Sequence, residues 1–146
     1  MAVVEPLPER RSLAIRLGAD RAVPPGDAPA LEADVAIECA GAPDAIQTAL
    51  QALRSGGRAV LLGIVTAPAP IAPIDLVRGE KSLIGSLSHV WDEDFREALQ
   101  LLGRGAAQAA PLITDRIPLG AAVTGGLTLL RDEPERHLKT LVGQAG

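Results

Sequence analysis

The sequence predicts an α/β fold with a parallel, doubly wound sheet, and three observations carry that prediction. Near-continuous apolar runs such as DVAIEC (residues 34–39) and RAVLLGIV (residues 58–65) suit strands covered on both faces, as in parallel sheets. Between them Ile46, Leu50 and Leu53 recur at helical spacing, so strand, helix and strand make one βαβ unit. The core has to be aliphatic, because Trp91 and Phe95 are the only aromatics against 15 glycines and 12 prolines. That composition favours helix-on-sheet packing over an aromatic-rich sandwich.

The remaining elements follow in order. Val3 and Val4 read as the end of a buried strand, followed by Glu5, Pro6 and Pro8. Pro8 suits the first turn of a helix, Leu13 and Leu17 lie four apart and Gly18 is a natural stop, so a short helix is expected over residues 9–17. RAV at residues 21–23 is a short strand, ended by Pro24, Pro25 and Gly26 in a loop that runs through Pro29. After the strand at 34–39, Gly41, Ala42 and Pro43 turn the chain into the next helix, which Gly56 and Gly57 close. Three prolines between residues 66 and 73 exclude a central strand and predict a stiff connection. SLIGSLS at 82–88 is a further strand. Asp92 is placed to cap a helix with Glu93 and Asp94 in its first turn, and Phe95, Leu99 and Leu102 form its buried stripe before Gly103 and Gly105 end it. Beyond it PLIT (111–114) reads as a strand, Val123, Leu127 and Leu130 share a helix face, and HLKTLV (137–142) is a closing strand.

Bulk properties remove several classes of function. A net charge of −4 with scattered basic residues provides no electrostatic footprint for nucleic acid or an anionic membrane surface. The single Cys39 excludes an internal disulfide and a four-cysteine zinc site made by this chain alone, and points to a reducing, cytoplasmic setting. The longest apolar runs fall far short of the roughly 20 residues of a membrane-spanning helix, and the first residues lack a long apolar signal core.

Taken in order, VVEPLPERR…LAIRLGAD, DVAIECAGAPDAIQTAL, LRSGGRAVLLGI, GSLSHVWDEDFREALQLLGRG, PLITDRIPL and HLKTLV closely resemble the C-terminal part of zinc-dependent medium-chain alcohol dehydrogenases. The nearest branch resembles the sorbitol, butanediol and threonine dehydrogenase-like enzymes. The resemblance implies a partial Rossmann, dinucleotide-binding domain over residues 1–110, and a segment at 111–146 like the one that returns to the family's catalytic domain. It implies NAD as cofactor, with NADP disfavoured: Glu5 matches the acidic position that holds the adenosine ribose hydroxyls, and a carboxylate accepts two hydroxyl hydrogen bonds while repelling a 2′-phosphate. Arg10 matches a basic residue near the adenosine end. Cys39, Ala40 and Gly41 match the turn beside the adenosine side, Gly63 and Ile64 the turn near the ribose and nicotinamide, and Ser86, Leu87 and Ser88 the stretch whose backbone lies by the nicotinamide carboxamide.

Departures from the family pattern set further expectations. The Cys, His and Glu zinc ligands of the family's catalytic domain have no counterpart here, nor has the first Rossmann strand with its G-x-G-x-x-G turn. No catalytic residue and no metal ligand is therefore assigned. In the strand order 3-2-1-4-5-6 the first strand is central, so its absence should leave two half-sheets with facing edges and weak NAD affinity. The expected product is the cofactor-domain portion of an alcohol or polyol dehydrogenase. The alternatives are a non-catalytic nucleotide-binding or subunit-pairing module, as a homo-oligomer or with another dehydrogenase chain, and a non-functional truncated product. His89 reads as a loop residue with no spaced partner, His137 as a surface residue on the last strand, and Cys39 as a small core residue.

Overall fold

The chain alternates strand and helix from its start. In the computed structural model, which describes residues 1–105 and 108–143, β1 (Ala2–Val4), α1 (Pro8–Arg16) and β2 (Arg21–Val23) are followed by a 3-10 segment, Pro25–Leu31. Then come β3 (Ala33–Glu38), α2 (Pro43–Gln51), β4 (Leu53–Leu61), α3 (Pro73–Gly79) and β5 (Ser82–Gly85). All three helices begin the same way. Each has an apolar, extended residue before it (Leu7, Ala42, Ala72), a proline in its first turn and an acidic residue (Glu9, Asp44, Asp75) beside it. Proline is preset for the helical φ and gives up only an amide that has no helical partner there, and the carboxylate complements the helix dipole.

Every strand pair is parallel, and the strands form separate sheets: β1 with β2, and β3-β4-β5. Strand β1 pairs with β2 alone and β3 with β4 alone, so the half-sheets expected for a doubly wound sheet without its central strand are what the chain forms. In the larger sheet, Ala36, Ala59 and Leu83 stand in one cross-strand row, and Ile37, Val60 and Ile84 in the next row, on the opposite face. The first face is covered. There Ile46, Leu50, Leu53 and Ala59 form the buried core, with Ala36, Leu61, Leu76 and Leu83 packed against it. The Lys81 ammonium donates to the Leu50 carbonyl at 2.7 Å and so closes the end of α2.

Several expected boundaries move, each for a local reason. Leu53 belongs to β4, not to the helix: α2 ends at Gln51, and the strand runs through Gly56 and Gly57, which therefore do not close the helix. The Ala33 amide bonds the Ala52 carbonyl at 2.8 Å, drawing this stretch into pairing with β3, with a register irregularity between Ala33 and Val35. Strand β5 stops at Gly85, so residues 86–88 are a turn. The loop through Pro29 is coiled into 3-10 turns, and α3 follows the proline-rich connection directly.

These elements make the first of two compact units, Met1–Ser88; the second begins at His89. It holds α4 (Trp91–Gly103), a 3-10 turn Ala110–Leu112, β6 (Asp115–Pro118), a π-helical stretch Ala122–Leu127, α5 (Thr128–Asp132) and β7 (Thr140–Gly143). Asp92 lies inside α4 and does not cap it. The Asp94 carboxylate, on the fourth residue of the helix, reaches back to accept the Val90 amide at 2.7 Å instead. Phe95, Leu99 and Leu102 share a face as expected but are exposed, and Trp91 stacks on Phe95 with centroids 5.0 Å apart. The first half of PLIT lies in the 3-10 turn Ala110–Leu112, with Pro111 as its second residue, and the strand comes after it. The closing strand starts at Thr140 and pairs in parallel with β6, which leaves His137 ahead of it.

Candidate functional site: turns at the carboxyl ends of the strands

Open α/β sheets take ligands outside the carboxyl ends of their strands, and the candidate residues of the first unit stand there. Glu5 follows β1, residues 39–42 follow β3, Gly63 and Ile64 follow β4, and residues 86–88 follow β5.

Glu5 extends the β1 pairing by one bond, from its amide to the Val23 carbonyl at 3.0 Å. Its carboxylate accepts the Leu7 amide at 2.9 Å, just ahead of α1, which holds the acid at the strand tip. One guanidinium nitrogen of Arg11 donates to the carbonyls of Glu5 and Pro6, both at 2.7 Å. Arg11 thus braces the turn that carries Glu5. Arg10, the basic residue singled out by resemblance, is half-buried beside it.

The turns after β3 and β4 are built against each other. The Glu38 carbonyl accepts the amides of Leu62 and Gly63 at 2.8 and 2.9 Å, and the Glu38 carboxylate accepts those of Ala40 and Gly41, both at 2.8 Å. Gly41 has φ +67°, the left-handed region that glycine enters without penalty. Gly63 is required by space: a Cβ there would lie 2.3 Å from the Gly41 nitrogen and 2.5 Å from Glu38 Oε2. The Ser86 amide bonds the Leu61 carbonyl at 2.9 Å and brings the third turn to the same strand end. Ser88 has φ +59°, uncommon for a residue with a side chain. Ile64 and Leu87 project into solvent, 76% and 85% exposed. The structure therefore joins Ala40, Gly41, Gly63, Ile64 and Ser86 around the end of β4, while Glu5 stands at the tip of β1 and Arg10 in α1.

Cys39 is exposed, not a core residue, because the alternation of β3 turns it away from the core once Glu38 points inward. Its thiol is pushed above its ordinary range, first by partial desolvation and then by the negative charge of Glu38. Glu38 itself is the residue that pattern reading passed over. It was visible as the one carboxylate near the end of an apolar run, but burial at 4% exposure is a tertiary fact.

His137 is not a surface residue. Its Nδ1 lies 2.8 Å from Asp115 Oδ2, with both side chains about four-fifths shielded. Among the described residues no group of three or more His, Cys, Asp or Glu side chains is placed to hold a metal ion. No helix among them is long and apolar enough to cross a membrane. A cavity of about 590 Å³ lies at the other end of the larger sheet, lined by Glu32, Leu53, Arg54, Arg78 and Lys81, and contains none of the candidate residues.

Parallel βαβ units with glycine turns at their strand ends define the class: a Rossmann-like α/β fold. Residues 1–104 match the model of the zinc-binding dehydrogenase family, and the chain belongs to that family. It is 36% identical over 83 residues to the zinc-type alcohol dehydrogenase-like protein YdjL of Escherichia coli K12, covering 57% of this chain and 23% of that one. The crystal structure of 2R,3R-butanediol dehydrogenase from Bacillus subtilis superposes with a TM-score of 0.83 at 28% identity, over 99% of this chain and 43% of that one. A Sinorhizobium meliloti 1021 protein described as a zinc-binding dehydrogenase, solved bound to NADP, gives 0.79 at 26% identity, over 97% and 44%. A short chain alcohol dehydrogenase from Escherichia coli CFT073, complexed with NADH, shares the fold at 22% identity with a TM-score of 0.81, over 97% and 43%. The chain thus spans from just under a quarter to somewhat over two fifths of the length of these proteins.

Proposed function

We propose that this chain supplies the cofactor-binding portion of an NAD-linked alcohol or polyol dehydrogenase, and that it has no hydride-transfer activity by itself. The observation that carries the reading is Glu5, held at the tip of β1 by the Leu7 amide, in the one position of a doubly wound sheet where a carboxylate meets ribose hydroxyls. The residues present fit the two ends of a nicotinamide dinucleotide. Glu5 and Arg10 would serve the adenosine ribose, and the stretches at residues 39–42, 63–64 and 86–88 would offer backbone, unobstructed at Ala40, Gly41 and Gly63. They do not supply a glycine-rich fingerprint for the pyrophosphate, since no G-x-G-x-x-G occurs in the sequence.

Zinc does not fit: the described residues hold no ligand cluster, so no step through a metal is derived. Bound NAD would supply a hydride acceptor. This chain's part would be to bind and orient it, and to discriminate against a 2′-phosphate through the charge of Glu5. Residues 1–110 would carry this role and residues 111–146 would complete a catalytic domain. Titration of NADH and NADPH against the full chain, followed by cofactor fluorescence, tests the reading. NADH should bind at least tenfold more tightly than NADPH, with saturation well above micromolar concentrations, and Glu5→Ala should abolish the preference. Equal binding of the two cofactors, or none, would overturn it.

A second reading is favoured by the strand edges. Among the described residues, strands β1 and β3 each leave one edge unpaired, and such an edge is a template for another strand. A subunit-pairing module would use them. Light scattering across a hundredfold dilution decides this: a concentration-independent monomer mass removes self-pairing, and co-purification of a larger dehydrogenase chain would support pairing in trans.

A further inference from the structure

We propose that Glu38 is the positioning residue of the cofactor turns, clasping the turn after β3 to the turn after β4 and so fixing the backbone that meets the nucleotide. The inference rests on the reading that these turns face a nucleotide. Four amides converge on this one residue: Ala40 and Gly41 on Oε1, Leu62 and Gly63 on the main-chain oxygen. The side chain thereby dictates the path of residues 39–41, while its own carbonyl dictates that of 62–63. Gly63 completes the clasp, because any side chain there would collide with Gly41 and with Glu38 Oε2.

A further observation separates this arrangement from ordinary turn chemistry. Glu38 is buried, and Oε2 is shielded from solvent with no hydrogen-bond partner among the described residues. Among the described residues no basic side chain forms an ion pair with it. A buried carboxylate with one unpaired oxygen disfavours folding, and a strand end needing only apolar packing would be better served by Leu or Val. What a carboxylate provides that an apolar group does not is an acceptor reaching two successive amides of a turn, here one whose second residue has a positive φ. The turn is therefore set by a side chain and not by the sheet. Its displacement would move the Gly41 backbone against Ile64, whose carbonyl a Cβ on Gly41 would approach to 3.0 Å.

The test compares wild type, Glu38→Ala, Glu38→Gln and Gly63→Ala as full chains. Amide hydrogen exchange is measured by NMR without cofactor, and NADH affinity by fluorescence. In wild type the Ala40 and Gly41 amides should be protected at least tenfold beyond the neighbouring Cys39. Glu38→Ala should lose that protection and weaken NADH tenfold or more, while Glu38→Gln, which keeps one acceptor oxygen, restores both to within about threefold. Gly63→Ala should weaken NADH with the carboxylate still in place. Unprotected Ala40 and Gly41 amides in wild type overturn the clasp without any variant having to fold. If wild type binds NADH and Glu38→Ala binds it equally well, the positioning role is overturned while the cofactor reading stands. If wild type binds no NADH, the cofactor reading and the positioning role both fall, and the exchange data alone decide whether the clasp exists.

Discussion

The first compact unit buries Ala19, Ala28, Ile46, Leu50, Ala52, Leu53 and Ala59, whereas in the second no described aliphatic side chain reaches that degree of burial. What orders the β6–β7 pair is polar. The Thr114 hydroxyl donates to Asp115 Oδ2 at 2.7 Å and accepts the Leu138 amide at 3.0 Å, and the same carboxylate meets His137. One family of parallel strands is thus secured in two ways. The first unit should respond to changes in apolar volume, the second to changes in hydrogen bonding and pH.

The sharpest test of that contrast is Leu50→Ala. Leu50 is 1% exposed at the centre of the core, and its truncation should cost the first unit about 2–5 kcal/mol, read from amide protection in β4 under denaturant. A loss below 1 kcal/mol would mean that the aliphatic cluster is not what holds this unit. Removing the Thr114 hydroxyl as Thr114→Val should cost the second unit about 1 kcal/mol, the worth of an ordinary hydrogen bond. No change in β6–β7 exchange would break the comparison from the other side. Lys81→Met, which frees the Leu50 carbonyl, should cost the first unit no more than about 1 kcal/mol.

Acid sharpens the same contrast. Asp115 is held below its ordinary value, first by the His137 hydrogen bond and next by that of Thr114. A depressed carboxylate contributes stability that is present above its unfolded pKa and lost as pH falls through the folded one. Between pH 5 and 2 the β6–β7 amides should therefore lose protection, and Asp115→Asn should flatten that dependence. The smallest effect is expected on the uncovered face of the larger sheet. Ile37 is 63% exposed there, so Ile37→Thr should shift stability by less than about 0.5 kcal/mol and show itself instead as reduced self-association in light scattering.

That face also shows where pattern reading stops. The runs over β3 and β4 are apolar enough for strands covered on both sides, and their strand character and parallel pairing follow from that. Coverage on one side only does not follow, because it depends on which helices the chain has to place there. Leu53 illustrates the same limit from another direction: its spacing from Ile46 and Leu50 suits a helix, but the pairing with β3 claims it for β4. At the candidate site, a carboxylate at the strand tip (Glu5) and a turn at Gly41 were legible from residue type and position, while their assignment to a cofactor came from the resemblance. Glu38 and Arg11 were not legible: the backbone groups they bond are near in sequence, but that either side chain turns back onto them is set by the folded turn and, for Glu38, by its burial.

By itself the sequence left α3 and β6 unmarked and read PLIT as a strand, but it determined the α/β class, the alternation of strand and helix through β4, and the aliphatic core. These rest on periodicity, on proline and glycine placement, and on composition, all of which act locally along the chain. Only the tertiary structure decided which strand ends meet, that one glutamate receives four amides, that Gly63 has no room for a side chain, and that His137 turns inward to Asp115. Most of those are distances between residues apart in the chain, and packing and hydrogen bonding together set them.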